Sequence, residues 1–170
     1  MKLTLEQVNG LAREEFQRVV GPVFEHSPWI AETTWEGRPF ANVAALHQAL
    51  GDTVRAASAD QQLALICAHP DLVGRLALAG QLTRESTSEQ ARAGLDRLTS
   101  EEIAAFQANN AAYKQKFGFP FVICARLNKK EAILNGFRVR LQNSREAEVA
   151  TALDEIFKIA ELRLRDLIAS

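Results

Sequence analysis

Apolar residues recur every three or four positions along most of the chain, which is the spacing of one face of an α-helix. The stretch between residues 42 and 57 is a clear example, because its apolar residues fall on one stripe: Val43, Leu46, Leu50 and Val54. The same criterion predicts helices over 4–20, 28–35, 42–57, 58–68, 70–79, 86 onward, 99–117, 128–141 and 145–168. The pattern therefore predicts an all-α fold, in a compact multi-helix domain.

Four of the predicted helices begin with a Ser or Thr followed three residues later by Glu or Gln, which is the capping-box pattern. The pairs are Thr4 with Gln7, Ser58 with Gln61, Ser86 with Glu89, and Thr99 with Glu102. Gly118 follows the last residue of the 99–117 helix, where a glycine in the left-handed conformation commonly ends a helix.

Residues 119–127 interrupt the helical pattern. They contain Pro120 and the apolar run 121–125, which predicts an extended, buried segment with no second strand to pair with it. Buried backbone N–H groups need hydrogen-bond acceptors. Those acceptors are either a bound ligand or, alternatively, water and the carbonyls at helix ends.

Composition narrows the functional classes. The chain has 170 residues, of which 47% are hydrophobic and 24% charged, and its formal net charge is -1. We expect one domain over residues 1–170, and no binding of nucleic acid or of an anionic membrane surface. No apolar run approaches the roughly 18 residues of a membrane span. Cys67 and Cys124 lie in apolar runs, which predicts buried free thiols in a cytoplasmic protein.

The triplet Ala68-His69-Pro70 forms a break between two predicted helices. Pro70 fixes its own φ and disfavours the α region for His69, so we expect His69 to end one helix and Pro70 to open the next. An imidazole at such a junction can face a cleft, and histidine suits proton transfer near neutral pH. A capping or core role is the alternative. His69 has no metal-ligand spacing with His26 or His47, so no metal site is predicted.

Arg163 falls inside the apolar stripe of the final helix, next to the direction of Ile159. A guanidinium that points toward a core needs an anionic partner. A structural salt bridge and the binding of an anionic ligand both meet that need, and the sequence leaves both interpretations open.

Residues 86–90, Ser-Thr-Ser-Glu-Gln, also have two interpretations. As structure, Ser86 caps a helix and Glu89 reaches back to it. As a functional segment, a helix N-terminus with three hydroxyls suits an anionic or urea-like ligand. In that case Glu89 could also hold an imidazolium in place.

Several of these segments together resemble one family. They are His69-Pro70-Asp71-Leu72, Leu82-Thr83 with Ser86 to Gln90, Ala93-Gly94-Leu95-Asp96, Tyr113 to Phe121, and Lys158 to Leu164. In this order they resemble OHCU decarboxylase, which acts on 2-oxo-4-hydroxy-4-carboxy-5-ureidoimidazoline (OHCU) in urate degradation. The similarity spans about residues 5 to 168.

The resemblance implies a single all-helical domain, usually a homodimer, that converts OHCU to (S)-allantoin with no cofactor and no metal. It assigns catalytic roles to His69, Glu89 and Arg163. It assigns substrate binding to Pro70, Ser86, Thr87, Ser88, Glu89, Gln90, Phe119, Phe121, Val122, Ile123, Cys124 and Ala125. The closest rival interpretation is a different decarboxylase or lyase of the same fold, and a helical protein-interaction module without catalysis is another. A helix-turn-helix DNA binder is less favoured, because the predicted helices lack a basic recognition face.

Overall fold

The computed structural model describes residues 2–169, apart from the side chains of residues 75 and 76. The described residues form ten α-helices: α1 (Leu5–Gly10), α2 (Arg13–Val20), α3 (Trp29–Thr34), α4 (Val43–Ala56), α5 (Ala59–Cys67), α6 (Arg75–Leu78), α7 (Arg84–Arg92), α8 (Ser100–Phe117), α9 (Lys130–Arg140) and α10 (Arg145–Leu167). Three short 3₁₀ turns cover Gly21–Val23, Trp35–Gly37 and Ala125–Leu127. The only β pairing among the described residues is an isolated bridge between Leu3 and Ile168. The all-α prediction is confirmed.

The chain packs as two compact units. The terminal unit consists of the residues up to 65 together with those from 157 onward, and the central unit is Ile66–Ile156. The prediction of one domain over residues 1–170 stays a prediction.

Each unit has its own apolar core. In the terminal unit α3 packs against both α2 and α4, and the fully buried large side chains there include Phe16, Ile30, Leu46 and Leu50. In the central unit α8 packs against α9, and the buried side chains include Phe106, Tyr113, Phe119, Phe121, Ile133 and Phe137. Burying one such side chain contributes about 1.5–3 kcal/mol to folding. Among the described residues, none of the helices has both the length and the apolar character needed to cross a lipid bilayer.

The predicted caps are confirmed at several helices. Thr4 and Thr99 form capping boxes at α1 and α8, and Ser58 exchanges hydrogen bonds with Gln61 at the start of α5. Gly118 has φ of 80° after α8. At this left-handed φ a side chain would be strained, so glycine ends the helix here.

Two predicted helices are wrong in extent. The opening helix is interrupted, because Leu11 and Ala12 have extended ψ angles of 140° and 159°. Pro70 does not open a helix: α6 is a single turn that starts only at Arg75. The reason is the backbone of Val73, whose φ of 54° is incompatible with a continuous α-helix.

The third capping box is also misplaced. Thr83, not Ser86, caps α7, and its side chain accepts a hydrogen bond from the Ser86 amide at 3.2 Å. Ser86 therefore lies inside the helix and is buried. The segment 119–124 has no regular secondary structure and leads into the 3₁₀ turn at Ala125–Leu127. The absence of an α-helix in this segment agrees with the prediction, whereas the 3₁₀ turn at Ala125–Leu127 departs from the predicted extended backbone.

Candidate active site

A cavity of about 420 Å³ lies in the central unit, close to the break between α5 and α6. This volume falls within the range of sites for small organic ligands. Its lining residues are Cys67, His69, Pro70, Asp71, Gly74, Lys114 and Pro120. The cavity thus contains His69 and Pro70, two of the residues predicted for the site.

His69 is held at the rim of this cavity by its local backbone. Its amide donates to the carbonyl of Ile66 at 3.2 Å, which closes the last turn of α5. Its side chain is only 7% exposed. Pro70 prevents the helix from continuing, as the sequence predicted. A buried imidazole that lines a cavity can reach a bound molecule without competition from bulk water.

The loop after His69 is tightly constrained. A Cβ atom added to Gly74 would lie 2.5 Å from Cβ of Asp71, so only glycine fits there. The left-handed Val73 is held by its neighbours: its amide donates to Oε1 of Gln90 at 3.1 Å. Nδ2 of Asn110 donates to the carbonyl of Leu72 at 2.8 Å. The loop is therefore held by hydrogen bonds to residues of α7 and α8.

Asp71 and Lys114 form an ion pair on the cavity wall, with 2.6 Å between Oδ2 and Nζ. Neither residue was predicted for the site, nor were Cys67 and Gly74. Asp71 belongs to the motif that follows His69 and Lys114 to the motif before Gly118, so the signals were present. No spacing along the chain indicates that these two motifs meet.

Helix α7 carries the predicted residues 86–90. Ser86 and Gln90 are buried, Glu89 is half-buried, and Thr87 and Ser88 are exposed. Gln90 binds the loop at residues 71–73 through both ends of its amide group. None of the five residues is among those that line the cavity. The helix instead packs against the 3₁₀ turn Ala125–Leu127.

The segment 119–125 lies beside α7. Pro120 lines the cavity, whereas Phe119, Phe121, Val122, Cys124 and Ala125 are buried and Ile123 is half-buried. Within the described part of the chain, the amides of Phe121, Val122 and Ile123 have no hydrogen-bond acceptor. The Cys124 amide does have one, because it donates to Oε2 of Glu155 at 3.2 Å.

The pKa of the Cys124 thiol depends on its burial and on charged side chains of other helices. Burial raises the pKa of Cys124, and the charges of Glu155 and Glu89 raise it further. The negative charge of Glu89 thus acts on the Cys124 thiol. Cys124 is buried as predicted, but the prediction for Cys67 is wrong, since Cys67 is exposed.

Arg163 lies in the terminal unit, where it is buried with 6% of its side chain exposed. Its Nη2 donates to Oε1 of Glu25 at 2.8 Å, and its Nη1 donates to the carbonyl of Pro22 at 3.2 Å. Sequence reasoning identified the need for an anionic partner but not Glu25. The structure thus shows a buried ion pair, and the substrate-binding role of Arg163 stays a prediction.

Among the described residues, no group of three or more His, Cys, Asp or Glu side chains is arranged to hold a metal ion. The polar groups around the cavity are an imidazole, a Lys–Asp ion pair and a thiol. This set suits an organic molecule that bears hydrogen-bond donors and acceptors.

Comparison with known proteins assigns the chain to a family. The family model for OHCU decarboxylase matches residues 9–165. The 2-oxo-4-hydroxy-4-carboxy-5-ureidoimidazoline decarboxylase of Amia calva is 43% identical over 166 residues, covering 98% of this chain and 95% of that protein. The protein of the same name from Haloferax volcanii is 41% identical over 169 residues, covering 99% and 98% of the two chains.

Solved structures agree on the fold. A crystal structure of (S)-allantoin synthase superposes with a TM-score of 0.78 at 29% identity, covering 98% of this chain and 54% of that one. A second crystal structure, of OHCU decarboxylase in the presence of (S)-allantoin, superposes with a TM-score of 0.70 at 23% identity. The match covers 92% of this chain and 99% of that one, and it supports the fold. On sequence and fold together, this chain belongs to the OHCU decarboxylase family.

Proposed function

We propose that this protein is a carboxy-lyase that converts OHCU to (S)-allantoin without a cofactor, and that the cavity beside His69 is its active site. The observation that carries the proposal is the buried imidazole on the wall of a ligand-sized cavity. The nearby segment 121–123 adds to it, because its amides lack acceptors among the described residues. Family membership gives the substrate.

The substrate explains why an organic cofactor is dispensable in this proposal. Decarboxylation leaves an electron pair on carbon, and many enzymes use a cofactor to accept it. In OHCU the carbon that loses CO₂ adjoins an imine-like C–N bond of the ring, which can take up the pair. The 4-hydroxyl then loses its proton and becomes a carbonyl, and one face of the neighbouring ring carbon gains a proton. The ring nitrogen that takes up the pair is protonated, so the net change for the carboxylate form of OHCU is the loss of one CO₂ and the uptake of one proton.

In this scheme His69 handles the proton. It either takes the proton from the 4-hydroxyl or delivers one to the nascent carbanion, and the reaction needs both transfers. An imidazole is suited to each of them near neutral pH. From its place on the cavity wall, His69 would deliver the proton to only one face of the ring. Glu89 would orient the imidazole and contact the ureido or ring N–H groups.

The backbone amides would bind the ring. Donors at Phe121, Val122 and Ile123 that are already in place stabilise charge as it develops on ring oxygen or nitrogen. Phe119 and Pro120 would help to exclude water, which strengthens these polar interactions. Of the α7 residues, Gln90 would act mainly by holding the loop after His69.

The proposed role of Arg163 is to bind an anionic oxygen of the substrate, and it rests on the family resemblance. The remaining parts of the proposal are a single functional domain over residues 1–170, a homodimer and a cytoplasmic location. Light scattering on the purified protein tests the dimer, and fractionation of the source cells tests the location.

The rates of the parent protein and of two variants test the mechanism. OHCU is generated in situ from urate, and its absorbance decay is followed with the parent protein, His69→Asn and Glu89→Gln. We expect His69→Asn to lose at least a hundredfold in kcat, in line with the usual contribution of a general acid or base. His26→Asn is the matched control, because the His26 side chain is 69% exposed.

The two interpretations of Glu89 are separated in the same experiment. Since Thr83 caps α7, Glu89→Gln should lower turnover without loss of helical content. Near-parental turnover in His69→Asn would remove this histidine from the mechanism.

A further inference from the structure

Arg140, Glu148 and Tyr113 form a buried polar cluster in the central unit that the proposed reaction does not use directly. Glu148 and Tyr113 are 0% exposed and Arg140 is 7% exposed. Charges are buried at a cost unless each one has hydrogen-bonded partners. The contacts of this cluster show what it holds in place.

The carboxylate of Glu148 is the centre of the cluster. Its Oε1 accepts hydrogen bonds from Nε of Arg140 at 2.8 Å and from the hydroxyl of Tyr113 at 2.5 Å. Its Oε2 accepts one from Nδ2 of Asn143 at 3.0 Å. Burial, and then the hydrogen bond to Glu148, raise the pKa of Tyr113, so its hydroxyl remains a donor at neutral pH. The carboxylate thereby fixes the direction of the guanidinium.

The guanidinium in turn holds the segment that follows Pro120. Nη1 of Arg140 donates to the carbonyl of Val122 at 2.7 Å, and the guanidinium carbon lies 4.2 Å from the centre of the Phe121 ring. The edge of the Tyr113 ring meets Phe121 and Phe119 at centroid distances of 5.2 and 5.9 Å. The cluster thus contacts Phe119, Phe121 and Val122 in an otherwise irregular segment.

These contacts set the direction of the Ile123 amide. In a trans peptide the C=O and N–H bonds face opposite ways. Because the Val122 carbonyl is directed at Arg140, the Ile123 amide is directed away from the cluster. The next peptide is held from the other end, since the Cys124 amide donates to Glu155. The carboxylates of Glu148 and Glu155 and the guanidinium of Arg140 therefore hold this segment, in place of the backbone hydrogen bonds that a β-sheet would supply.

We infer that Arg140, Glu148 and Tyr113 are positioning residues, which hold the amides of 121–123 in the orientation that binds the planar ring of the substrate. The inference rests on the proposed function, in which these amides bind the substrate. Apolar side chains of similar volume would fill the same space, but they would leave the Val122 carbonyl without its donor. The polar cluster is then needed for orientation rather than for packing.

The test compares two variants with a control of similar destabilisation. Tyr113→Phe removes one hydroxyl and keeps the ring. The triple variant Tyr113→Phe/Arg140→Met/Glu148→Leu replaces the whole cluster by apolar side chains, a change that often leaves stability intact. Ile133→Val is the control, because Ile133 is fully buried in the same unit. For each protein, kcat, KM and the enantiomeric excess of allantoin are measured at a temperature where all are folded.

We expect Tyr113→Phe to lose at least threefold and the triple variant at least tenfold in kcat/KM, each with a lower enantiomeric excess of allantoin. Ile133→Val should keep both values. A purely structural cluster predicts that every folded variant behaves like Ile133→Val, and this result would overturn the inference. If the triple variant does not fold, Tyr113→Phe alone decides, and values within a factor of 1.5 of the parent overturn it.

Amide hydrogen exchange separates this inference from the proposed function. We expect the amides of 121–123 to exchange faster in Tyr113→Phe than in Ile133→Val, whether or not OHCU is the substrate. If the parent protein does not accelerate OHCU decay, the proposed function fails while the exchange result still reports on positioning. Equal exchange in both variants would contradict positioning while leaving the proposed function standing.

Discussion

The ion pair between Arg163 and Glu25 gives the sharpest prediction on stability. Both side chains are almost completely buried, at 6% and 1% exposed, and the two atoms of the pair lie 2.8 Å apart. The perturbation is Glu25→Ala, which leaves the guanidinium in a buried place without this carboxylate. Breaking a buried pair in this way costs about 3–5 kcal/mol. For a chain of this size each kcal/mol lowers Tm by roughly 2–4 °C, so we expect a fall of roughly 6–20 °C.

Replacing both partners has a different expected outcome. The variant Glu25→Leu/Arg163→Met removes both charges of this pair, and such replacements of whole pairs are often neutral or stabilising. The carbonyl of Pro22 loses its donor, however, which costs about 1–3 kcal/mol if that carbonyl becomes buried and unsatisfied. The double variant should therefore lie within about 3 kcal/mol of the parent. A double-mutant cycle should give a coupling of at least about 2 kcal/mol.

The assay is urea unfolding followed by far-UV circular dichroism, with constant m-values as the check on two-state behaviour. Arg13→Ala is the control, because Arg13 pairs with Glu32 at 3.6 Å while both side chains remain about half exposed. An exposed pair of this kind is worth about 0–1 kcal/mol. If Glu25→Ala cost no more than Arg13→Ala, the structural interpretation of Arg163 would be refuted.

Two further predictions concern thiol chemistry and acid stability. Iodoacetamide should alkylate the exposed Cys67 and inactivate the enzyme, because Cys67 lines the cavity with His69. (S)-Allantoin should slow the loss of activity, and the Cys67→Ser variant should resist it. Alkylation at Cys124 without inactivation would contradict the assignment of this cavity as the active site. The hydrogen bond from Lys130 lowers the pKa of Glu102 below 4.5. The stability that this pair adds is present at neutral pH and is lost as pH falls through the lowered pKa of Glu102, so in urea unfolding Lys130→Met should be less stable than the parent at pH 7, and the difference should shrink as the pH is lowered into the acid range.

Local signals in the sequence predicted most of the helices. The caps at Thr4, Ser58 and Thr99 use side chains three residues from their partners, and such contacts depend only on local chain geometry. Gly118 ends α8 for an equally local reason. The stripe that places Arg163 inside the core follows from helical periodicity, and the burial of Arg163 is confirmed.

The errors arise where distant residues override local preference. Val73 has a left-handed φ and its amide donates to Gln90, 17 positions away; the predicted helix from Pro70 does not form. At α7 the observed cap is Thr83, three residues before the predicted cap Ser86.

The polar groups of the central unit were the hardest to foresee. The hydrogen bond between Tyr113 and Glu148 joins residues 35 positions apart. In the sequence alone, Tyr113 and Glu148 each resemble an ordinary residue of an amphipathic helix. Only the folded structure shows that they are in contact beside the segment 119–124. The segment itself was predicted, because its apolar run and Pro120 break the helical period.

The chirality of the product tests the central claim most directly. OHCU is produced from urate by urate oxidase in the presence of this protein, and circular dichroism follows the allantoin as it accumulates. Spontaneous decay of OHCU gives racemic allantoin and therefore no signal. An imidazole fixed on the wall of a cavity, delivering its proton to one face, predicts the signal of (S)-allantoin at full amplitude, with its loss in His69→Asn. A flat trace from the folded parent protein would contradict the account.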